Sequence, residues 1–572
     1  MYRQSLNGGF DDPLIFRRKL MVEEAHITVR SSHTIRLCVT SGLPLSIWDV
    51  KDPVIPRSLR MKRFSRLRDF ISTHVLRFSA IFRRHSSRNS VAQLPMQRLP
   101  NEILSLIFSL IAHDPTANPV SFTVITHVCS RWRQIALADS NLWNRVVLTY
   151  PLSPHHLSYA LAWLQRSASA PIDISLDFRD PSWDWNEDTH NFRWQEMEPI
   201  MRIFLPHAHR WRRFELLTDT WAPIFTSLWY TRHVQSAPLL EVISLSRCNL
   251  YFAARGQVFR PISLRQPIQL FGGVALKRLT SVSLVGVHID WNQPSLRNLT
   301  TLELKFHASD VMPNIQQFTA ILEACPGLIH LAIFGWGPTL DVPPPVEGYR
   351  LRLSSLEKFS FGFLDTSYAI RLLSLFDFPL LEEFVLEDVG KVVSPLEVED
   401  STSLLLYLAS ALGGTSATPP RGVGSDLPRY GPSTLLLANI RSFELHGIRV
   451  VNPDAVRIFF RWLTSLTKLT LYDDVNSILE LLGVPIVVSQ PILLPRLQEL
   501  RCQDMDPEIL LNVVTSRAGA NALIPLTKVS LEFARTPPLE VGSLAHTRLV
   551  RAGIEVYGRV GSSGSGSDYQ MI

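Results

Sequence analysis

The sequence predicts an α/β chain in two parts: a small cluster of short helices near residue 100 and, behind it, a long succession of strand-and-helix units sharing a parallel sheet. Three observations carry that expectation. Residues 94–146 hold more Leu, Ile, Phe and Trp at helical spacing than so short a segment can hide within itself. From Trp211 to Leu531, a pattern of apolar residue, two variable positions, apolar residue, one variable position and apolar residue recurs eleven times. Over 572 residues, 46% are hydrophobic and 19% charged, a composition that builds cores rather than staying disordered.

Residues 1–50 show no sustained period and read as an unstructured leader. Residues 51–92 form a basic segment. From Lys51 to Ser90 there are 11 Lys or Arg against two acids, a surplus of nine, so the net charge of +6 leaves −3 for the rest of the chain. Attraction to phosphate or anionic lipid therefore belongs to this segment, and no nucleic-acid partner is expected of the body. Leu67, Ile71, Val75, Phe78 and Phe82 step by three or four along it, with arginines around them, the pattern of a basic amphipathic helix. Membrane contact by residues 56–84 or a nuclear import signal would suit such a helix; a solvated helix is the simpler expectation. The five cysteines, Cys38, Cys129, Cys248, Cys325 and Cys502, lie far apart with no Cys-x-x-Cys pair. That spacing argues against a disulfide framework or a zinc site and fits the reducing cytoplasm or nucleus. The first residues lack the apolar core of a signal peptide, and the best apolar run, Leu404 to Leu412, is half the ~20 residues a spanning helix needs.

The helix cluster opens at Leu99-Pro100-Asn101-Glu102. Pro100 suits a first helical turn, where its missing N–H costs nothing, and Glu102 sits near the positive end of the dipole. Ile103, Leu106, Ile107, Leu110 and Ile111 make one face, which Leu104 and Phe108 widen, and Asp114-Pro115 stops the helix. A second helical segment runs through Phe122, Val124, Ile125, Val128, Cys129, Trp132, Ile135 and Ala136. Asp139-Ser140-Asn141 breaks it, and Leu142-Trp143 closes the cluster. The surplus apolar surface points to a permanent partner.

These blocks resemble the F-box. The family pattern runs Leu-Pro-x-Glu-Ile/Leu-Leu-x-x-Ile-Phe, then Val-Cys-x-x-Trp-Arg-x-Ile-Ala, then Leu-Trp; this chain has LPNEILSLIF, VCSRWRQIA and NLWNRV in that order. The resemblance implies a three-helix F-box over residues 93–147 that docks on the Skp adaptor of a cullin-RING ubiquitin ligase. It also implies adaptor contacts at Leu99, Pro100, Ile103, Leu104, Ile107, Phe108, Val128, Trp132 and Trp143, some of which can equally serve the module's own core.

The repeating units begin at Trp211, Leu240, Leu279, Leu299, Leu328, Leu356, Leu381, Ile440, Leu466, Leu497 and Leu526, and Ile172 to Phe178 is a possible opening strand. Most steps between units are close to the roughly 20–29 residues of leucine-rich repeats. The expected architecture for residues 148–556 is an irregular leucine-rich-repeat solenoid, a horseshoe with parallel strands and with helices such as Asn314 to Ala324 and Tyr368 to Leu375 as its second layer. The Asn that usually follows the strand is mostly absent, Asn249 being the main candidate, so an uneven array is expected. The 59-residue step holds a helix from Ser403 to Leu412 and then a Gly-, Pro- and Ser-rich stretch near 413–433 that reads as a disordered loop, as do residues 557–572. As a whole the chain is similar to F-box proteins of the fungal type with a C-terminal leucine-rich-repeat-like domain.

No enzyme signature is present: no phosphate loop, no Gly-x-Ser-x-Gly elbow, no His-Glu-x-x-His. His155-His156 and His207-x-His209 lack a third ligand, and Glu397, Glu399 and Asp400 read as a solvated turn, so no metal or cofactor is expected. The expected role is therefore non-catalytic: the specificity subunit of a ligase, with the Skp adaptor on the helix cluster and a target protein on the outward strand positions Ser244, Ser283, Glu303, Ser360, Glu444, Thr470, Arg501 and Ser530. The alternative is a scaffold with the same two parts that never enters a ligase.

Overall fold

The computed structural model describes residues 99–114, 121–184, 189–249, 253–341, 350–390, 399–412, 439–472, 476–483, 493–519, 524–533 and 539–558. The leader, the basic segment, the loop near 413–433 and the tail beyond residue 558 lie outside the described residues. The chain divides into two compact units, Met1–Ile107 with Gly561–Ile572, and Phe108–Val560. Only residues 99–107 of the first are described.

The fold is mixed α/β, with one long parallel sheet of 14 strands. In chain order these are β1 Arg145–Thr149, β2 Ile172–Asp177, β3 Trp211–Thr218, β4 Val242–Arg247, β5 Ser281–Val285, β6 Thr301–Lys305 and β7 His330–Phe334. They continue as β8 Lys358–Phe363, β9 Glu383–Asp388, β10 Ser442–His446, β11 Lys468–Tyr472, β12 Glu499–Gln503, β13 Lys528–Phe533 and β14 Ile554–Gly558. Each strand lies beside its sequence neighbour. All eleven repeating units coincide with strands β3–β13. Strand β1 fits the same spacing through Trp143, Val146 and Leu148 but lies outside the eleven units, as do strand β14 and a short parallel pair, Leu351–Arg352 with Phe376–Asp377; none of these is expected from the sequence.

The alternation within each unit explains the sheet. Phe359, Phe384 and Phe443 sit in register on β8, β9 and β10, all within 2% exposure, and stack with centroids 5.8 and 5.5 Å apart. Fully burying each such ring is worth about 1.5–3 kcal/mol. Threonines immediately before four of the strands tie each of them to its neighbour. Just before or at the strand start, the hydroxyls of Thr280, Thr300, Thr467 and Thr527 donate to the preceding repeat's backbone carbonyl at 3.1–3.3 Å. Turns after the strands use the left-handed region, at Gly286, Gly335 and Gly447, and at the bulky Phe306 with φ 52°.

Twelve helices are described. The first four are α1 Asn101–Ala112, α2 Ser130–Ala138, α3 Pro154–Arg166 and α4 Trp194–Phe204. Next come α5 Trp221–Thr231, α6 Ile315–Glu323, α7 Thr366–Leu373 and α8 Thr402–Leu412. The last are α9 Pro453–Trp462, α10 Asn476–Glu480, α11 Pro507–Ala518 and α12 Leu544–Arg551. Helix α3 packs on β1, α5 on β3 and β4, and α7 on β8. Caps define their starts: Asn314 accepts from the Gln317 N–H at 2.8 Å while the Gln317 side chain accepts from the Asn314 N–H. The second helical segment of the cluster is not continuous. A 3-10 turn, Ser121–His127, precedes α2, because Cys129 is extended and caps α2, its sulfur accepting from the Trp132 N–H.

Helix and loop carbonyls are also closed by buried arginines. Arg517, 3% exposed, donates to the carbonyls of Leu482, Leu493 and Leu494, and Arg210 does the same for Leu164 and Ala170 at the end of α3. Burial lowers both guanidinium pKa values, with no carboxylate to offset it.

His307 follows β6 and is fully buried, its ring nitrogens 2.8 and 3.0 Å from the carbonyls of Val287 and Leu284. Burial brings its pKa down to about 4 against the partial opposition of those carbonyls. Between roughly pH 6.5 and about 4 the unfolded chain binds a proton here that the folded chain does not, so stability falls as pH falls through that window. We expect His307→Gln to remove about 2–3 kcal/mol of the acid-limb slope. Denaturant midpoints of both proteins from pH 7.5 to 4.5 check it; parallel curves would show that His307 does not titrate in this way.

Candidate functional site

Helix α1 is apolar on both sides, and its two faces have different fates. Leu104, Phe108 and Ala112, four residues apart, are 0–6% exposed, whereas Ile103, Leu106 and Leu110 are 43%, 59% and 50% exposed. Within the second unit, Phe108 meets the Trp132 ring at 5.1 Å, and Arg133 Nε donates to the Thr126 carbonyl at 2.8 Å. His113, at the end of α1, bonds through Nδ1 to the Ser109 carbonyl and through Nε2 to the buried Asn144. Trp143, completely buried, donates from Nε1 to the Ala136 carbonyl at 2.7 Å and meets Phe122 and Trp163 edge-on at 5.0 and 4.7 Å, with the Arg166 guanidinium over its ring. The same unit leaves Val124, Val128 and Leu137 44–54% exposed.

The nine residues expected at an adaptor surface therefore divide. Pro100, Ile103 and Val128 are exposed; Leu99, Ile107 and Trp132 are half-buried; Leu104, Phe108 and Trp143 are buried and support a surface instead of forming it. Sequence reasoning omitted Leu106, Leu110, Val124 and Leu137 from that set. Leu106 and Leu110 stood on the stripe with Ile103, and that stripe is the exposed one.

The second candidate surface is the sheet face opposite the apolar rows. Strand register brings Ser244, Ser283, Glu303, Ser360, Glu444, Thr470, Arg501 and Ser530, spread over almost 290 residues, into one line across the sheet, with Ala332 and Val385 completing it. The expectation that all eight point into solvent needs correction: Ser360, Thr470 and Ser530 are 2–8% exposed. Strands lie about 4.8 Å apart, so a short side chain between long neighbours, such as Thr470 between Glu444 and Arg501, is walled off from water.

Charges on this face are paired locally. Lys305 Nζ and the Ser283 hydroxyl both donate to Glu303 at 2.9 Å. Burial is the largest influence and raises the Glu303 carboxyl, but Lys305, His330 and the Ser283 hydroxyl together outweigh it and the net shift is downward. Glu444 behaves alike: burial opposes ionisation, His446 and Lys468 favour it, and the pKa falls below the usual carboxylate value.

Among the described residues no group of three or more His, Cys, Asp or Glu could hold a metal ion, and no helix is long and apolar enough to cross a membrane. His156 accepts from the Ser153 N–H as part of a helix cap. Asp400 is exposed and accepts from the N–H groups of Thr402 and Val451, Glu399 is half-buried and accepts from the Thr366 N–H, and Glu397 lies outside the described residues.

Residues 96–149 match the F-box-like family model. That segment contains α1, α2 and β1, so this part of the chain is an F-box-like module, typically a non-catalytic adaptor that binds Skp-type proteins in SCF complexes. The match supports an F-box protein, that is, a protein-interaction adaptor. No curated protein resembles the chain closely enough to count as a match.

Proposed function

We propose that this chain is the target-recognition subunit of an SCF-type cullin-RING ubiquitin ligase, working in the cytoplasm or nucleus. The F-box-like module holds the Skp adaptor. The remainder, an irregular leucine-rich-repeat solenoid in this reading, offers its line of strand positions to a protein destined for ubiquitin-dependent degradation. Bond-making chemistry then belongs to other subunits, and this chain needs no catalytic group or cofactor.

The observation that carries the reading is the exposed apolar side of α1, Ile103, Leu106 and Leu110, inside the family-matched segment. Large aliphatics left in water at helical spacing are a recognition surface by their composition. The test is co-purification of the tagged full-length chain with the Skp adaptor and a cullin. Leu99→Ala combined with Pro100→Ala is expected to lose both while the thermal midpoint of the sheet is unchanged. Full-strength adaptor binding by that double variant would count against the assignment, and adaptor without cullin would favour the scaffold alternative.

A further inference from the structure

The sheet face opposite the apolar rows has a distinct character at β10–β12. Its cations already have carboxylate partners: Lys468 with Glu444 at 3.8 Å and Arg501 with Glu499 at 2.6 Å, as do Lys528 on the flanking β13, with Glu499 at 3.8 Å, and Lys358 on β8, with Glu383 at 3.4 Å. Surfaces that read phosphate work through Arg and Lys donors that are not spent on carboxylates. Here an incoming phosphate dianion would lie against Glu444 and Glu499 and would have to break existing pairs to find a donor.

Polar capacity of another kind is left over. Thr470, 2% exposed, has a buried hydroxyl with no hydrogen-bond partner among the described residues, while Nε2 of His446 faces the Glu444 carboxylate at 3.6 Å. Buried polar atoms of this sort are rare in native folds, and a bound partner is one of the few ways to satisfy them. Beside them the His446 and Tyr472 rings stack 4.0 Å apart and 19° from parallel, half-exposed, an apolar platform in a charge-paired field.

We propose that the β10–β12 face is where the target docks and that it takes an unphosphorylated polypeptide segment. The segment displaces the Glu444 and Arg501 side chains that wall in Thr470, so that one of its amide groups reaches the Thr470 hydroxyl, and an apolar or aromatic side chain covers the His446–Tyr472 pair. Recognition on this face is then not switched on by a kinase. The inference rests on the target-recognition role proposed above and narrows its ligand.

To test it, full-length protein is panned with a phage-displayed library of random unphosphorylated linear peptides, and selected peptides are titrated by fluorescence anisotropy. Affinity is expected to fall about tenfold or more in Tyr472→Ala and in His446→Ala, each checked for an unchanged melting midpoint. It should change little in Ser244→Ala or Glu215→Ala on β3–β4, and less than about threefold between about 0.05 M and about 0.5 M NaCl. Phosphorylating a serine of the peptide should weaken binding. If selected peptides depend instead on Ser244 and Glu215, or gain affinity on phosphorylation, this inference fails while the target-recognition role stands. If no peptide is enriched, or none depends on any strand-face residue, both fail.

Discussion

Trp143→Ala is expected to lower the unfolding free energy of the Phe108–Val560 unit by about 3–5 kcal/mol, the largest single-residue loss in the F-box-like module. Trp143 is completely buried and bridges two parts of the unit: Phe122 on the module side and Trp163 of α3, which packs on β1, on the sheet side. Truncation leaves a cavity too large for these rings to close, and it also strands the Ala136 carbonyl that Nε1 satisfies. Trp143→Phe should keep part of the packing and lose the hydrogen bond, falling between the two. Denaturant unfolding followed by near-ultraviolet circular dichroism gives the midpoints. A loss below about 1 kcal/mol for the alanine variant would mean that the module and the sheet do not share this core.

Val128→Asp tests the opposite property, a large change in binding with little change in stability. Val128 is 45% exposed at the turn before α2 and has water to lose rather than a core. A carboxylate there would be desolvated without a partner by any apolar surface that covers it. Affinity for the Skp adaptor is expected to fall about 100-fold or more, while the midpoint shifts by no more than about 0.5 kcal/mol. Phe108→Ala is the control: at 1% exposure against Trp132 it should lose stability and adaptor binding together. Unimpaired adaptor binding by Val128→Asp, measured by titration calorimetry, would place the docking surface elsewhere on the module.

Much of this was legible in the residues. Each of the eleven spaced apolar units became a strand, because Leu and Phe two apart in a strand share one face, and a parallel sheet covered by helices buries that face completely. Of the strands that escaped notice, β14 has Arg551 where the unit has its leading apolar residue, whereas β1 follows the unit through Trp143, Val146 and Leu148 and was hidden by the F-box-like pattern that Trp143 also serves. Leu104 and Phe108 show the other limit: with Leu, Ile and Phe all round α1, hydrophobicity names no inside, and only packing partners choose one. Ser360, Thr470 and Ser530 were read as outward because alternation says which side of the sheet a residue takes, and it does not say how tall its neighbours are.

From the sequence by itself came the two-part α/β organisation, the F-box-like pattern of residues 99–146, and which positions of each strand share a face. Those properties depend on spacing along the chain, which 3.6- and 2-residue periods convert directly into geometry. Tertiary structure alone decided which side of α1 is left for a partner, how Trp143 joins module to sheet, and that Glu444, Thr470 and Arg501 stand side by side with every nearby cation already paired. Such matters are set by contacts between residues far apart in sequence, and no local pattern encodes the distance between them.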